Sequence, residues 1–341
     1  MRAGRLFVIR RLWRRLDAPL PARHATDGCS NNRRFFGTEP ARSTCRDFEK
    51  KGLYERAVFH FILKSTNEVP SFLNESFNEL KHQGDVKVIV QDIEGCFPTM
   101  PKEAIRFAAR DIANGNRTDG HHGVWVPKRS KLSKCNWDQG GKKHNRVWLD
   151  FDMLIDILEF SLDHAYVMMP DGRLLRQVLG IPMGDPMSPA MTIGTCGFME
   201  KEWMHTLDLE TKNRFRAKRY MDDVIVMIAE NEKWNHAKFS QDIGKDIYWP
   251  PLKLEDGGQG VFLETFFAVT QGEMQTRLKN LNEGRVDDPA VWRYQHFNSY
   301  GEYTQKRSTL AACLSKVQNM ASDSQQLMYS ALQKLDEFKR L

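Results

Sequence analysis

Apolar residues recur along the chain in two rhythms, one of three to four residues and one of two, and the switches between them mark out elements. Helical spacing runs over Tyr54–Leu63 and over Pro70–Lys81, where Phe72, Phe77 and Leu80 fall on one face. The short apolar run Val86–Val90 predicts a strand that ends at Gln91–Asp92. Helical spacing resumes over Pro101–Ala113, with Ile105, Phe107 and Ala108 among good helix formers and Pro101 suited to the first turn. Val147–Tyr166 again reads as helix, with Leu149, Met153, Ile157 and Phe160 near one face. A hairpin follows, Tyr166–Met169 turning at Pro170–Asp171–Gly172 into Arg173–Leu179. Pro189–Asp208 predicts a long, mostly buried helix, and Ala217–Met221 and Val224–Ala229 predict two strands joined at Asp222–Asp223. From Arg293 onward the pattern is helical and polar. No repeat is evident, and strands and helices mix without regular alternation. That mixture favours an α+β layered domain over a doubly wound one.

Composition changes this picture little. The chain has 341 residues, 41% hydrophobic and 28% charged, enough for a sizeable core and ordinary for a soluble globular protein. It holds no uninterrupted apolar run of about 18 residues, so neither a transmembrane helix nor a membrane partner is expected. The formal net charge of +6 suits a polyanionic partner, as it does many unrelated basic proteins. Six cysteines, at 29, 45, 96, 135, 196 and 313, form no Cys-x-x-Cys pair. Neither a zinc ribbon nor a dense disulfide scaffold is expected, and a reducing compartment is.

Two stretches stand apart. Residues 1–46 contain eleven Arg, no Lys and three acidic residues. On a helix, Leu6, Ile9, Trp13 and Leu16 would share a face, with Arg10, Arg11, Arg14 and Arg15 mostly elsewhere. Such a leader reads as a mitochondrial transit peptide, a nucleic-acid-binding arm or an extension of the reading frame. Without a targeting role, the chain is expected in the nucleus or cytoplasm. Residues 114–146 are rich in Gly, Asn, Lys and Arg around Trp125 and Trp137, as in an insertion with at most short strands. Basic side chains interleaved with aromatic ones can hold phosphates and stack bases. A surface loop anchored by two tryptophans reads equally well.

The chemistry sits in the acids. Asp92 closes an apolar strand, and Asp222–Asp223 stand at the turn of a hairpin with apolar flanks. Taken singly, an Asp–Asp pair is commonly a solvated turn, and an Asp after a strand commonly caps a helix. If the strands pair, however, carboxylates from two distant places meet at one end of a small sheet. Clustered carboxylates raise each other's proton affinity unless a cation screens them. Mg²⁺, which takes a few carboxylate oxygens plus substrate phosphates, is the natural cation. Two such ions about 3.5–4 Å apart serve nucleotidyl transfer, which needs rigidly placed acids and no His or Ser nucleophile.

Four segments in order carry a resemblance: Val88-Ile-Val-Gln-Asp92-Ile-Glu-Gly-Cys-Phe97, Gly180-Ile-Pro-Met-Gly-Asp-Pro-Met-Ser-Pro189, Tyr220-Met-Asp-Asp223 and Phe262-Leu-Glu264. Together they resemble the palm signatures of reverse transcriptases, over residues 86–270. The resemblance implies a polymerase palm, a small antiparallel sheet backed by helices. It also implies a reduced helical fingers region at 47–85 and a helical thumb-like tail at 271–341. It makes Asp92 and Asp222 ligands of two Mg²⁺ ions, with Mn²⁺ as an alternative, Asp223 the accessory acid and the Ile93 carbonyl a further ligand. Phe97 matches the bulky residue that excludes a ribose 2′-hydroxyl, which implies dNTP as substrate, although a plain core phenylalanine would look the same. An RNA-templated RNA polymerase, which shares the palm, would use rNTPs. Gly180, Pro182, Met183 and Gly184 match the turn that approaches the nascent base pair, and Gln177 a polar position just ahead of it. Tyr220 belongs to the Tyr-x-Asp-Asp box. Ser188 is expected to cap the following helix, with Pro189 at its first position. Lys253, at looser spacing, matches a lysine that protonates the leaving pyrophosphate.

The implied function is RNA-directed DNA polymerisation by a retroelement enzyme, with RNA template, DNA primer and dNTP as partners. Asp92 and Gly180 stand 88 residues apart, a longer stretch than retroviral enzymes have and similar to telomerase and Penelope-like elements. Trp292–Ser299 followed by Lys306–Cys313 resembles the segment after the palm in the Penelope-like branch, with His296 and Ser299 in the wrong order. Lys51, Lys64 and Lys81 stand in no recognisable fingers motif, and the chain stops soon after a thumb-like helix. A catalytically weak or inactive nucleic-acid-binding remnant is therefore the alternative. A metal-independent fold with a structural Asp pair would have to explain four ordered motifs as coincidence.

Overall fold

A computed structural model of the chain describes residues 61–128, 136–137, 145–185, 187–232, 235–240, 244–280, 282–283 and 298–340. The Arg-rich leader, residues 54–60 of the first predicted helix, 129–135 and 138–144 of the basic stretch, and Trp292–Phe297 lie outside the described residues. In chain order the elements are α1 (Val69–Leu80), β1 (Asp85–Ile93), α2 (Cys96–Thr99), α3 (Lys102–Thr118), β2 (Gly123–Pro127), β3 (Asn136–Trp137), β4 (Arg146–Asp150), α4 (Phe151–Asp163), β5 (Tyr166–Met168) and β6 (Leu174–Arg176). There follow α5 (Ser188–Thr206), α6 (Leu209–Arg214), β7 (Phe215–Tyr220), β8 (Asp223–Glu230), α7 (His236–Lys238), β9 (Leu254–Asp256), β10 (Val261–Phe262), β11 (Thr265–Thr270), β12 (Glu273–Leu278), α8 (Tyr303–Met320) and α9 (Ser324–Arg340). The fold is α+β, with small antiparallel sheets backed by helices and a helical C-terminal tail.

The described residues form two compact units. One comprises Phe61, Gly95–Thr206 and Ile247–Leu252; the other Ile62–Glu94, Leu207–Asp246 and Lys253–Leu341. The segment 86–270 thus contributes to both.

The second unit is built on a four-stranded antiparallel sheet of order β7-β8-β1-β9. β1 and β8 pair over their full length, from Asp85 opposite Glu230 to Asp92 opposite Asp223. Side chains alternate across a sheet, so Val86 and Val90 share a face with Ile225, Met227 and Ala229. That face packs against Val69, Leu73, Phe77 and Leu80 of α1 and against Phe262, Phe267 and Met274 of the second sheet, order β10-β11-β12. Leu73 and Leu80 are fully buried, which contributes about 2 kcal/mol each. Phe72, expected on the buried face, only flanks this core. At the tail, Val317 and Met320 of α8 bury against Leu278.

The first unit packs α3 on α5 and α4, beside a three-stranded sheet of order β3-β2-β4 and the β5–β6 hairpin. The hairpin has the predicted turn, with Val167 opposite Leu175. α3 runs five residues beyond the expected end at Ala113, and Pro101 is its N-cap rather than its first helical residue.

Several expectations are corrected. Phe61–Leu63 is extended, not helical: Ile62 bridges to Arg219 in parallel and the Leu63 N–H donates to the Arg219 carbonyl at 2.8 Å. β7 is an edge strand of its sheet, and its open backbone groups draw this segment in. Val147–Asp150 is likewise strand, paired with β2 so that Trp125 lies opposite Trp148, their rings 5.4 Å apart. Trp125 is thus a packing anchor of that sheet. α4 starts only where the Asp150 carboxylate accepts the Met153 N–H at 2.7 Å, an N-cap that propensity over Val147–Tyr166 conceals. With the helix starting there, the buried face is Phe151, Leu154, Leu158 and Leu162, while Met153 and Phe160 are exposed. Among the described residues no helix is long and apolar enough to cross a membrane.

Candidate active site

Antiparallel pairing creates the acid cluster. The register that sets Val90 opposite Ile225 continues to set Asp92 opposite Asp223, so both carboxylates stand at the end of the face that elsewhere is hydrophobic core. The connection from β7 to β8 is a two-residue loop, Met221–Asp222, with Tyr220 opposite Asp223. The turn expected at Asp222–Asp223 therefore lies one residue earlier, and Asp223 opens the strand. The Ile93 N–H donates to the Asp222 carbonyl at 3.0 Å, which ties the loop to the end of β1. On the other side of β1, Ile93 pairs with Leu254, and the Glu94 N–H donates to the Lys253 carbonyl at 2.9 Å. Lys253 is thus held beside the acid end with its side chain exposed.

The loop is conformationally costly. Met221 has φ +60°, a left-handed conformation unusual for a bulky side chain. The Arg219 guanidinium, fully buried, donates to the Met221 carbonyl at 2.8 Å and so holds that conformation from beneath. A second cost is electrostatic. Burial first, then the charges of Asp222 and Asp92, push the Asp223 carboxyl up to about 6. Asp92 is raised too, by burial and then Asp222, against the lowering effect of its hydrogen bond from the Ile93 N–H.

Among the described residues no three His, Cys, Asp or Glu side chains converge as a closed metal cage. That is compatible with Mg²⁺, which takes one or two protein carboxylates and completes its octahedron with water and phosphate oxygens. Asp92 and Asp223, two facing carboxylates with raised proton affinity, are a donor set that would gain from a divalent cation.

The remaining predicted residues belong to the first unit, where two short turns meet. Phe97 lies in α2, and its carbonyl accepts the Ile181 N–H at 2.8 Å; the Met100 carbonyl accepts the Gly180 N–H at 3.2 Å. Gly180 has φ +70°, and a Cβ there would stand 2.2 Å from the Pro98 carbonyl oxygen. Internal packing is therefore enough to require glycine there. Gly184, at φ +91°, faces open space, and Met183 beside it is 75% exposed. The Ser188 hydroxyl donates to the Pro182 carbonyl at 2.6 Å, and Asp185 accepts the Met187 N–H at 2.7 Å. Ser188 thus lies inside the first turn of α5 and braces the Pro182 loop instead of preceding the helix as its cap. Gln177, half-buried, donates its N–H to the Ala165 carbonyl at 2.8 Å.

The structure thus gathers Asp92, Ile93, Tyr220, Asp222, Asp223 and Lys253 in one unit, and Phe97, Gln177, Pro182, Met183 and Gly184 in the other. Three residues escaped the sequence reading. Arg219 had a signal, an arginine inside an otherwise strand-like run. Glu255, opposite Asp92 on β9, had none, because only the register reveals it. Lys102, whose ammonium bonds two carbonyls, had none either.

No family model matches the chain, and no curated protein does. Solved structures do. Telomerase from Candida albicans in complex with a fragment of telomeric RNA superposes with a TM-score of 0.54 at 11% identity, over 99% of this chain and 48% of that one. The fold is reverse-transcriptase-like. Telomerase from Candida tropicalis in its RNA complex gives a TM-score of 0.49 at 13% identity, over 88% of this chain and 45% of that one. The apo Candida tropicalis enzyme gives 0.43 at 16% identity, over 66% and 38%. The chain spans less than half the length of these telomerases.

Proposed function

We propose that the chain is an RNA-directed DNA polymerase of a retroelement, transferring a nucleotidyl group from a dNTP to a primer 3′-hydroxyl. The observation that carries this reading is the register that faces Asp92 with Asp223 at the buried end of a palm-like sheet, beside the Asp222 turn. The Candida albicans protein of like fold is in complex with RNA, which supports a nucleic-acid partner for this chain.

Two Mg²⁺ ions, or Mn²⁺, held by Asp92, Asp222, Asp223 and the Ile93 carbonyl would lower the pKa of the 3′-hydroxyl and neutralise the departing pyrophosphate. The bond that forms joins the primer 3′-oxygen to the α-phosphorus; the bond that breaks releases pyrophosphate, to which Lys253 gives a proton. Phe97 excludes a ribose 2′-hydroxyl. Pro182, Met183 and Gly184 present an open turn to the nascent base pair, with Gln177 just ahead of it in the chain, and Tyr220 belongs to the Tyr-x-Asp-Asp box that carries the acids.

The test is primer extension on an RNA template with Mg²⁺. Asp222→Asn is expected to cut incorporation by well over about 100-fold, beyond the loss typical of a residue that merely orients a ligand. Incorporation at the wild-type rate in that variant overturns the assignment.

A further inference from the structure

Phe97 and the Gly180–Gly184 turn can act on one nucleotide only if their mutual placement is fixed. Two backbone bonds fix it directly, Ile181 N–H to the Phe97 carbonyl at 2.8 Å and Gly180 N–H to the Met100 carbonyl at 3.2 Å. The approach is so close that no side chain fits at Gly180. Beyond its pairing with β5 and the bond from the Gln177 N–H to the Ala165 carbonyl, the strand leading into this turn, β6 and Gln177, buries little that would hold it. Leu174, Leu175, Val178 and Leu179 are all exposed, and a two-stranded hairpin is marginal by itself.

Lys102 supplies the missing hold. It opens α3, five residues after Phe97, and its Nζ donates to the Gln177 carbonyl at 2.7 Å and to the Leu162 carbonyl at 2.6 Å. Leu162 is in the last turn of α4, where helix carbonyls lack internal partners and a cation is favoured. One ammonium thus joins the start of α3, the end of α4 and the segment just ahead of Gly180. Burial lowers its proton affinity, with nearby Asp163 opposing. A lysine with only a solubilising role would keep its head in water. Capping α4 alone would not require the second, equally short bond to Gln177.

We propose that Lys102 is a positioning residue that locks the Gln177–Ile181 segment against Phe97 and thereby sets discrimination between deoxyribonucleotides and ribonucleotides. The inference rests on the polymerase reading and on Phe97 as the sugar gate.

The test measures kcat/KM for dNTP and rNTP in primer extension by the full chain, in wild type, Phe97→Ala, Lys102→Met and Lys102→Arg. Lys102→Met keeps the length of the side chain and removes its donors; Lys102→Arg restores them. Expected is a dNTP/rNTP preference that falls in Phe97→Ala, falls at least about tenfold in Lys102→Met, and returns most of the way in Lys102→Arg. In amide hydrogen exchange, Lys102→Met should speed exchange at Ile181 while leaving mid-α3 amides unchanged. A Lys102→Met enzyme that loses both substrates equally, or keeps Ile181 protected, overturns the proposal while the gate stands in Phe97→Ala. An unchanged preference in Phe97→Ala removes the gate and the proposal together. A wild type that incorporates neither nucleotide removes the polymerase reading as well.

Discussion

Replacing Asp223 by asparagine should make the metal-free protein more stable. The carboxyl of Asp223 is pushed from 3.8 to about 6 by burial and by Asp222 and Asp92. Unscreened, two pKa units correspond to about 3 kcal/mol; with half the group exposed, about 1 kcal/mol is a sound expectation. The sign follows from proton binding. Between pH 4 and 6 the folded state holds a proton that the unfolded state has released, so stability from this group is full below about pH 4 and is lost as pH rises through 6. Asparagine has nothing to lose. In EDTA at pH 7.5 the Asp223→Asn variant should therefore unfold about 2 °C above wild type, and the difference should vanish near pH 4. Adding millimolar Mg²⁺ should raise wild type more than the variant and narrow the gap. Thermal unfolding followed by circular dichroism at the two pH values decides it. A variant less stable than wild type at pH 7.5 in EDTA, or a gain that persists unchanged at pH 4, would refute the view that mutual repulsion at a buried sheet end dominates here.

Other consequences are simpler to read. Arg219→Leu removes a buried donor from the Met221 carbonyl and should cost about 2 kcal/mol in urea unfolding together with most of the polymerisation, whereas a neutral outcome would show that the loop holds itself. On α4, Leu158→Ala should cost about 3 kcal/mol and Phe160→Ala less than about 1, since Leu158 is buried and Phe160 is 60% exposed. The reverse order would restore the helix face expected from the sequence.

Local pattern carried the strands well. Val86–Val90 is apolar and β-branched apart from Lys87, and the structure makes it the middle of β1 with Asp92 near its end. The Tyr220–Asp223 hairpin was legible because apolar runs flank it on both sides, although its exact turn depends on pairing that spacing does not specify. α4 failed for a physical reason: Val147 and Trp148 satisfy a helical period, yet β2 offers them cross-strand partners, and Asp150 then fixes the helix start. Once the start moves, the face that buries changes with it. Gly180 was legible as a glycine that must be glycine, but not for what, because the obstructing atom is a carbonyl more than 80 residues away in the chain. Lys102 and Glu255 were invisible, since each acquires its meaning only from a long-range register.

The unfavourable features concentrate at one turn. Met221 in a left-handed conformation, a buried arginine beneath it and the Asp223 carboxyl with its raised proton affinity all lie within five residues, Arg219–Asp223. The flanking strands are the best-packed part of the unit, with Val224 to Ala229 buried on both faces. That order is what the chemistry requires. Carboxylates that repel each other relax apart unless the strands beneath them are rigid, and strands rigid enough to hold them need apolar side chains right up to the acids. Hence the hydrophobic face of β1 and β8 runs without interruption from Ala229 to Ile225 and from Val86 to Val90, and ends on Asp223 and Asp92.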